Sequence, residues 1–164
     1  MDNSPLSPPS NPYIQPSYYA GLVVNTVVGI LAALGTTNIT ELDISAPNLS
    51  GYAIYEMGKP VRAVFVNLNA FLRSDEGVRE RSVYHIDLGF ASTNDTGKPD
   101  SVGKEIRIKR LNIGYADDTS NLTWGGQSGE TPEFLVSGEE VFETQPLSEG
   151  VNLRETEAVL VWFK

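Results

Sequence analysis

His85 is the only imidazole in the chain, and no cysteine accompanies it. The missing thiols remove disulfides, thiolate nucleophiles and cysteine-based zinc sites together. One imidazole is too few for a transition-metal centre, so no metal or cofactor is expected. His85 and Asp87 fall on one face of a predicted strand and can pair there. No serine in a G-x-S-x-G setting stands beside them, which leaves a triad unsupported and a structural role the plainer expectation. Carboxylates are plentiful, and two adjacent pairs, Asp117 with Asp118 and Glu139 with Glu140, invite a test for acid/base work. Neighbouring residues of a strand point to opposite faces, so adjacency is a poor sign of a catalytic dyad, and a solvated loop accounts for both pairs. Asp117 to Asn121 lacks the ligand spacing of a calcium loop. Gly125-Gly126 neither follows a buried parallel strand nor opens a helix, which argues against a phosphate cradle. Trp124 and Trp162 are able to stack on sugars, but each sits in or beside an apolar run, which favours packing.

Charge narrows the field further. The chain of 164 residues carries a formal charge of −9 and has no basic stripe, so neither nucleic acid nor an anionic membrane surface is an expected partner. The apolar run from Ala20 to Leu34 is short for a membrane span and is interrupted by Asn25 and Thr26. Four N-x-S/T sequons begin at Asn38, Asn48, Asn94 and Asn121, against about two expected by chance. They are the candidate N-glycosylation sites and point to an extracellular protein. The N-terminal residues hold Pro, Ser and Asn where a secretory leader needs an apolar core, so an export signal is expected upstream of Met1.

The elements that position these residues follow from periodicity. Residues 1–15 are proline-rich and expected to be extended or disordered. From Pro16 to Gly35 apolar residues recur at three- and four-residue steps (Tyr18, Tyr19, Leu22, Val23, Val27, Ile30, Leu31, Leu34), which predicts a helix. No charged residue occurs between Pro16 and Thr40. A helix facing solvent carries a charged face, so this one is expected to be packed on more than one side.

The remainder, residues 39–164, reads as one β-domain. Gly51 to Asn69 predicts a hairpin turned at Met57-Gly58-Lys59-Pro60, where Gly58 supplies a positive φ. Its second strand is apolar on both faces, with Val61, Ala63 and Phe65 on one and Val64 and Val66 on the other, as in a central strand covered on both sides. Further strands are expected at Ile39–Ser45, Ser82–Leu88, Lys104–Ile113, Leu122–Trp124, Glu140–Thr144, Val151–Leu153 and Ala158–Phe163. In the third of these, Ile106 and Ile108 point in while Glu105, Arg107 and Lys109 point out. A charged connection, Phe71 to Arg81, and a polar loop, Ala91 to Gly103, lie between. The fold class is therefore mainly β: an antiparallel β-sandwich of about eight strands preceded by one apolar helix.

Three blocks carry a family resemblance: YAIYEMGKPVRAVFVNLN (Tyr52 to Asn69), IKRLNIGYADDTSNLTWGGQS (Ile108 to Ser128) and ETEAVLVWF (Glu155 to Phe163). Together they resemble the C-terminal β-domain of glycoside hydrolase family 79, the β-glucuronidase-like enzymes related to heparanase. QPSYYAGLVV (Gln15 to Val24) is similar to the last helix of the catalytic (β/α)8 barrel in that family. The resemblance implies a parent enzyme that removes glucuronic acid from glycans by a retaining double displacement with two glutamates. Those glutamates belong to barrel strands ahead of the final helix and have no counterpart here, so no catalytic residue carries over. It also implies a barrel as partner and an unpaired sheet edge where strands preceding the barrel join the sandwich. A free-standing carbohydrate-binding module is the competing expectation and requires an exposed row of aromatic rings. An inactive structural remnant is a third.

Overall fold

The computed structural model describes residues 16–28, 37–91, 104–131 and 135–164. The expected leader, the predicted helix beyond Val28, the sequon at Asn94 and most of the Ala91–Gly103 loop lie outside the described residues. Within them the chain is one helix, α1 (Pro16–Val28), and nine strands: β1 (Thr37–Glu41), β2 (Leu49–Glu56), β3 (Lys59–Asn67), β4 (Val83–Ile86), β5 (Glu105–Asn112), β6 (Thr123–Trp124), β7 (Glu143–Pro146), β8 (Val151–Arg154) and β9 (Glu157–Phe163).

Seven strands form one antiparallel sheet in the order β1-β2-β3-β9-β5-β6, with β7 pairing the other half of the β5 edge that β6 uses. The remaining two, β4 and β8, pair as a small antiparallel sheet. The result is a mainly antiparallel, sandwich-like fold. The small sheet covers one face of the large one, and α1 covers the other.

Sequence explains this layering. β9 (EAVLVWF) is apolar on both faces and lies between β3 and β5. Its odd residues Val159 and Val161 meet Ala63, Phe65, Ile106 and Ile108 on one side, and the small sheet closes that side with Ile86, Val151 and Leu153. Leu160 faces the other way, with Ile54, Val64 and Trp124, onto Tyr19, Val23 and Val27 of α1. Those three helical residues recur every fourth position, which places them on one stripe. Each fully buried side chain of this kind stabilises the fold by about 1.5–3 kcal/mol.

The hairpin forms with a tighter turn than predicted: Met57 and Gly58, both at positive φ, make it, and Lys59 and Pro60 already pair within β3. One residue departs from strict alternation. Register pairs Ile54 with Arg62 and Tyr55 with Pro60, so Val61 is left over in a β-bulge. Pro60 has no N–H with which to continue the ladder. Val61 consequently packs on the α1 side with Val64, not beside Ala63 and Phe65.

Three other expectations need correction. Lys109 does not point into solvent: it is 5% exposed, because its face of β5 is covered by residues 139–142. The strand expected at Glu140–Thr144 begins only at Glu143, and its first residues serve as that cover. The first strand ends at Glu41 instead of Ser45, and Leu42 and Ile44 pack on the core from irregular backbone.

Candidate functional site

The residues with catalytic potential do not converge. His85 is exposed, and its Nδ1 lies 2.9 Å from Asn152 Oδ1 on the neighbouring strand. Asp87 falls past the end of β4 and accepts the Gly89 N–H at 2.7 Å, so it does not share a strand face with His85. Asp117 accepts the Arg73 N–H at 3.0 Å, and Asp118 pairs with the Arg73 guanidinium and accepts the Tyr115 N–H. Glu140 is bound to Lys109, 31 positions away. No group of three or more His, Asp or Glu side chains among the described residues is arranged to hold a metal ion.

Gly125 and Gly126 turn the chain tightly between Trp124 and Gln127, whose backbones hydrogen-bond at 2.8 and 3.2 Å. Both glycines have positive φ, the geometry of a two-residue hairpin turn. A side chain on Gly125 would collide with the Lys109 stem, so the turn and the buried lysine fit only as a pair.

The two tryptophans do not make a platform. Trp124 is 3% exposed beneath α1, with Lys109 Nζ 5.4 Å from its ring centroid. Trp162 is half-buried and meets Phe142 edge-on, with ring centroids 5.5 Å apart. Arg107 lies 3.9 Å over the other contact surface of Phe142. Glu140 and Phe142 thus clamp residues 139–142 across the sheet through an ion pair at 2.5 Å and an aromatic–cation stack. At the start of β7, Glu143 continues the clamp onto Arg110 at 2.8 Å. Burial pulls the Arg110 pKa down, but Glu143 and Glu157 outweigh it and hold the guanidinium above its ordinary value.

A second cluster fixes the charged connection between β3 and β4. Phe71 and Tyr115 stack at 5.7 Å, with Arg79 over Phe71 and Arg73 over Tyr115. Asp75 accepts the Leu72 N–H at 2.9 Å and pairs with Arg79, which together hold its pKa below the usual carboxylate value. Every member of this cluster is used to hold the loop itself.

What remains conspicuous is the outward side of α1. Tyr18 (37% exposed) and Val24 (58% exposed), with exposed Ala20, Gly21 and Asn25, form a helix face without charge. The helix is seated by Tyr19, whose hydroxyl accepts the Gly129 N–H at 3.2 Å and lies 3.2 Å from Ser128 Oγ. Ser128 is backbone-paired with Ser137, and Leu135 and Val136, just ahead of Ser137, are exposed. An exposed helix face without charge is of the kind that marks an interaction site.

Of the sequons, Asn38, Asn48 and Asn121 are exposed, and Asn48 donates to Asn69 Oδ1 at 2.9 Å. No described helix is long and apolar enough to cross a membrane.

Sequence reasoning missed the Lys109 clamp. Its signals were present in Glu140 and Phe142, an acid and an aromatic two apart in a polar stretch, but nothing in the stretch itself said which strand it would cross.

Comparison with known proteins agrees with this fold. Residues 51–160 match the model of the glycosyl hydrolase family 79 C-terminal beta domain. No curated protein matches. Among solved structures, a 4-O-alpha-L-rhamnosyl-beta-D-glucuronidase from Fusarium oxysporum 12S, in complex with Rha-GlcA, shares the fold at a TM-score of 0.58 and 22% identity. The match covers 76% of this chain but 25% of that one, so the chain spans about a quarter of that enzyme.

Proposed function

The chain belongs to the glycosyl hydrolase family 79 C-terminal β-domain family, and from that premise we propose that it is the non-catalytic accessory domain of a β-glucuronidase-like enzyme acting on glucuronic-acid-bearing glycans. Its role is to pack on a catalytic (β/α)8 barrel and stabilise it. The observation that carries this reading is the uncharged outer face of α1. A helix that packs one stripe on its own sheet and shows a second, uncharged face outward is suited to lie between two layers. The likeness of Gln15 to Val24 to a barrel helix supports the same placement. An extracellular route is part of this reading, with Asn38, Asn48 and Asn121 exposed for N-glycans.

Two measurements test it. The chain alone is expected to show no turnover of a chromogenic β-D-glucuronide; activity that survives repurification would overturn the non-catalytic role. With its apolar face uncovered, the chain is expected to self-associate in sedimentation velocity, and Val24→Glu to return it to monomer without loss of stability. A wild-type monomer at all concentrations would remove the docking surface from the argument.

A further inference from the structure

The large sheet has an open edge at β1. Among the described residues, that strand pairs β2 on one side and no strand on the other. An open edge offers its backbone N–H and C=O groups to a further strand, and proteins guard such edges with lysine, proline, a bulge or a cover. Thr37–Glu41 (TNITE) has no lysine or proline, its register with β2 is unbroken, and Ile39 is 51% exposed. Glu41, its last residue, is its one charge. The same five residues hold a sequon, Asn38-Ile39-Thr40.

The three sequons among the described residues differ in what their side chains already do. Asn48 sits at a φ of 61° and donates from Nδ2, the atom a glycan would take, to Asn69 Oδ1 at 2.9 Å; its Ser50 is half-buried in β2. Asn121 sits at a φ of 66° and donates from Nδ2 to Ser120 Oγ at 3.3 Å. The Glu130 carboxylate holds that segment down by accepting the N–H groups of Asn121 and Leu122 at 2.6 and 3.1 Å, and Thr123 is half-buried. Asn38 is placed otherwise. It and Thr40 are both exposed, two residues apart on one face of regular strand. Among the described residues, no hydrogen bond engages the Asn38 side chain. Residues opposite each other on a ladder share a face, and Ile39 lies opposite Ile54, which packs under α1. Asn38 and Thr40 therefore point to the face away from the helix.

We propose that Asn38 is the sequon of these three that carries an N-glycan, and that this glycan guards the β1 edge. The proposal rests on the extracellular route in the reading above. The donor is a lipid-linked oligosaccharyl pyrophosphate of the secretory pathway. The bond from the sugar's anomeric carbon to the pyrophosphate oxygen breaks, and the lipid pyrophosphate leaves with the bonding pair. The anomeric carbon bonds to Asn38 Nδ2, which gives up one proton to the transferase. Nothing in the fold is lost, because that amide holds no partner. A bulky, hydrated glycan rooted inside the edge strand occupies the space that a further strand would need. It also stands clear of Tyr18 and Val24, which lie on the other side of the sheet with α1.

The experiment secretes the full 164-residue chain from a yeast behind a cleaved export signal, with Asn94→Gln to leave only these three sequons and Val24→Glu to silence association through α1. Glycopeptide mass spectrometry is expected to find the glycan chiefly at Asn38. Asn38→Gln and Thr40→Ala should each lose most of the gel shift, while Asn48→Gln and Asn121→Gln keep most of it. No glycan at Asn38, or equal use of Asn48 or Asn121, would overturn the assignment. The guard is read as the onset of light scattering on warming. That onset should come earlier in sugar-free Asn38→Gln and Thr40→Ala, and Ile39→Lys should restore the delay in the Asn38→Gln chain by placing a charge on the edge. An onset unchanged by loss of the sugar would overturn the guard. With α1 silenced and no turnover measured, these outcomes stand apart from those that test the accessory role.

Discussion

On one face of the large sheet, Phe65, Ile106, Ile108, Val159 and Val161 meet Ile86, Val151 and Leu153 of the small sheet in one cluster of hydrophobic side chains. On the other face, Ile54, Val64 and Leu160 meet a helix and a crossing segment that bring a tyrosine hydroxyl, a buried ammonium and an indole N–H without an acceptor. The first face is closed by the domain's own strands and is self-sufficient. The second is closed by pieces that each have another side: α1 shows Val24 outward, and the carboxylate of Glu140 is half in solvent. A core that ends in aliphatic side chains serves stability. A core that ends in hydrogen-bonded, ion-paired covers also fixes where those covers sit, which is what a surface for a second domain requires.

Substitutions on the two faces put this contrast at risk. Phe65→Ala, on the aliphatic face, should cost about 3–5 kcal/mol and leave little folded protein, read as the midpoint of urea unfolding. Val23→Ala, under the helix, should cost clearly less, because α1 can settle toward the sheet as strands held by ladders on both sides cannot. Equal losses per methylene would erase the distinction between the faces. Glu140→Gln comes next, at about 1–2 kcal/mol, since it leaves Lys109 buried without its carboxylate while the half-exposed position softens the loss. Trp124 fluorescence should shift in the same variant, and an unchanged spectrum would mean the cover does not depend on the ion pair. The smallest effect belongs to neither face. Met57→Asn places Asn-Gly in the β2–β3 turn, where Met57 sits at a φ of 52°. It should stabilise by about 0.5 kcal/mol, measured as a small rise in Tm.

Much of this was legible in the chain, and the failures have physical causes. The hairpin, the all-apolar β9 and the alternation of β5 could be read because side-chain period and turn chemistry are local. Alternation assigned Lys109 to the face opposite Ile108 correctly, but it cannot say whether that face meets water or another segment. Val61 changed sides because the missing N–H of Pro60 shifts the register, a consequence of pairing that strict counting ignores. His85 and Asp87 parted because β4 stops at Ile86, one residue too soon for them to share a face.

Tyr19 gives the helix something that packing alone does not. An apolar stripe tolerates rotation about its own axis, since neighbouring valines fill the same space at small cost. A single phenol held at its tip by Gly129 and Ser128 works as an indexing pin. Turning α1 by one residue, about 100°, would swing that hydroxyl off its seat and bury it without a partner. The azimuth of the helix is therefore set from the loop side, and whatever lies against Tyr18 and Val24 meets them at one fixed angle.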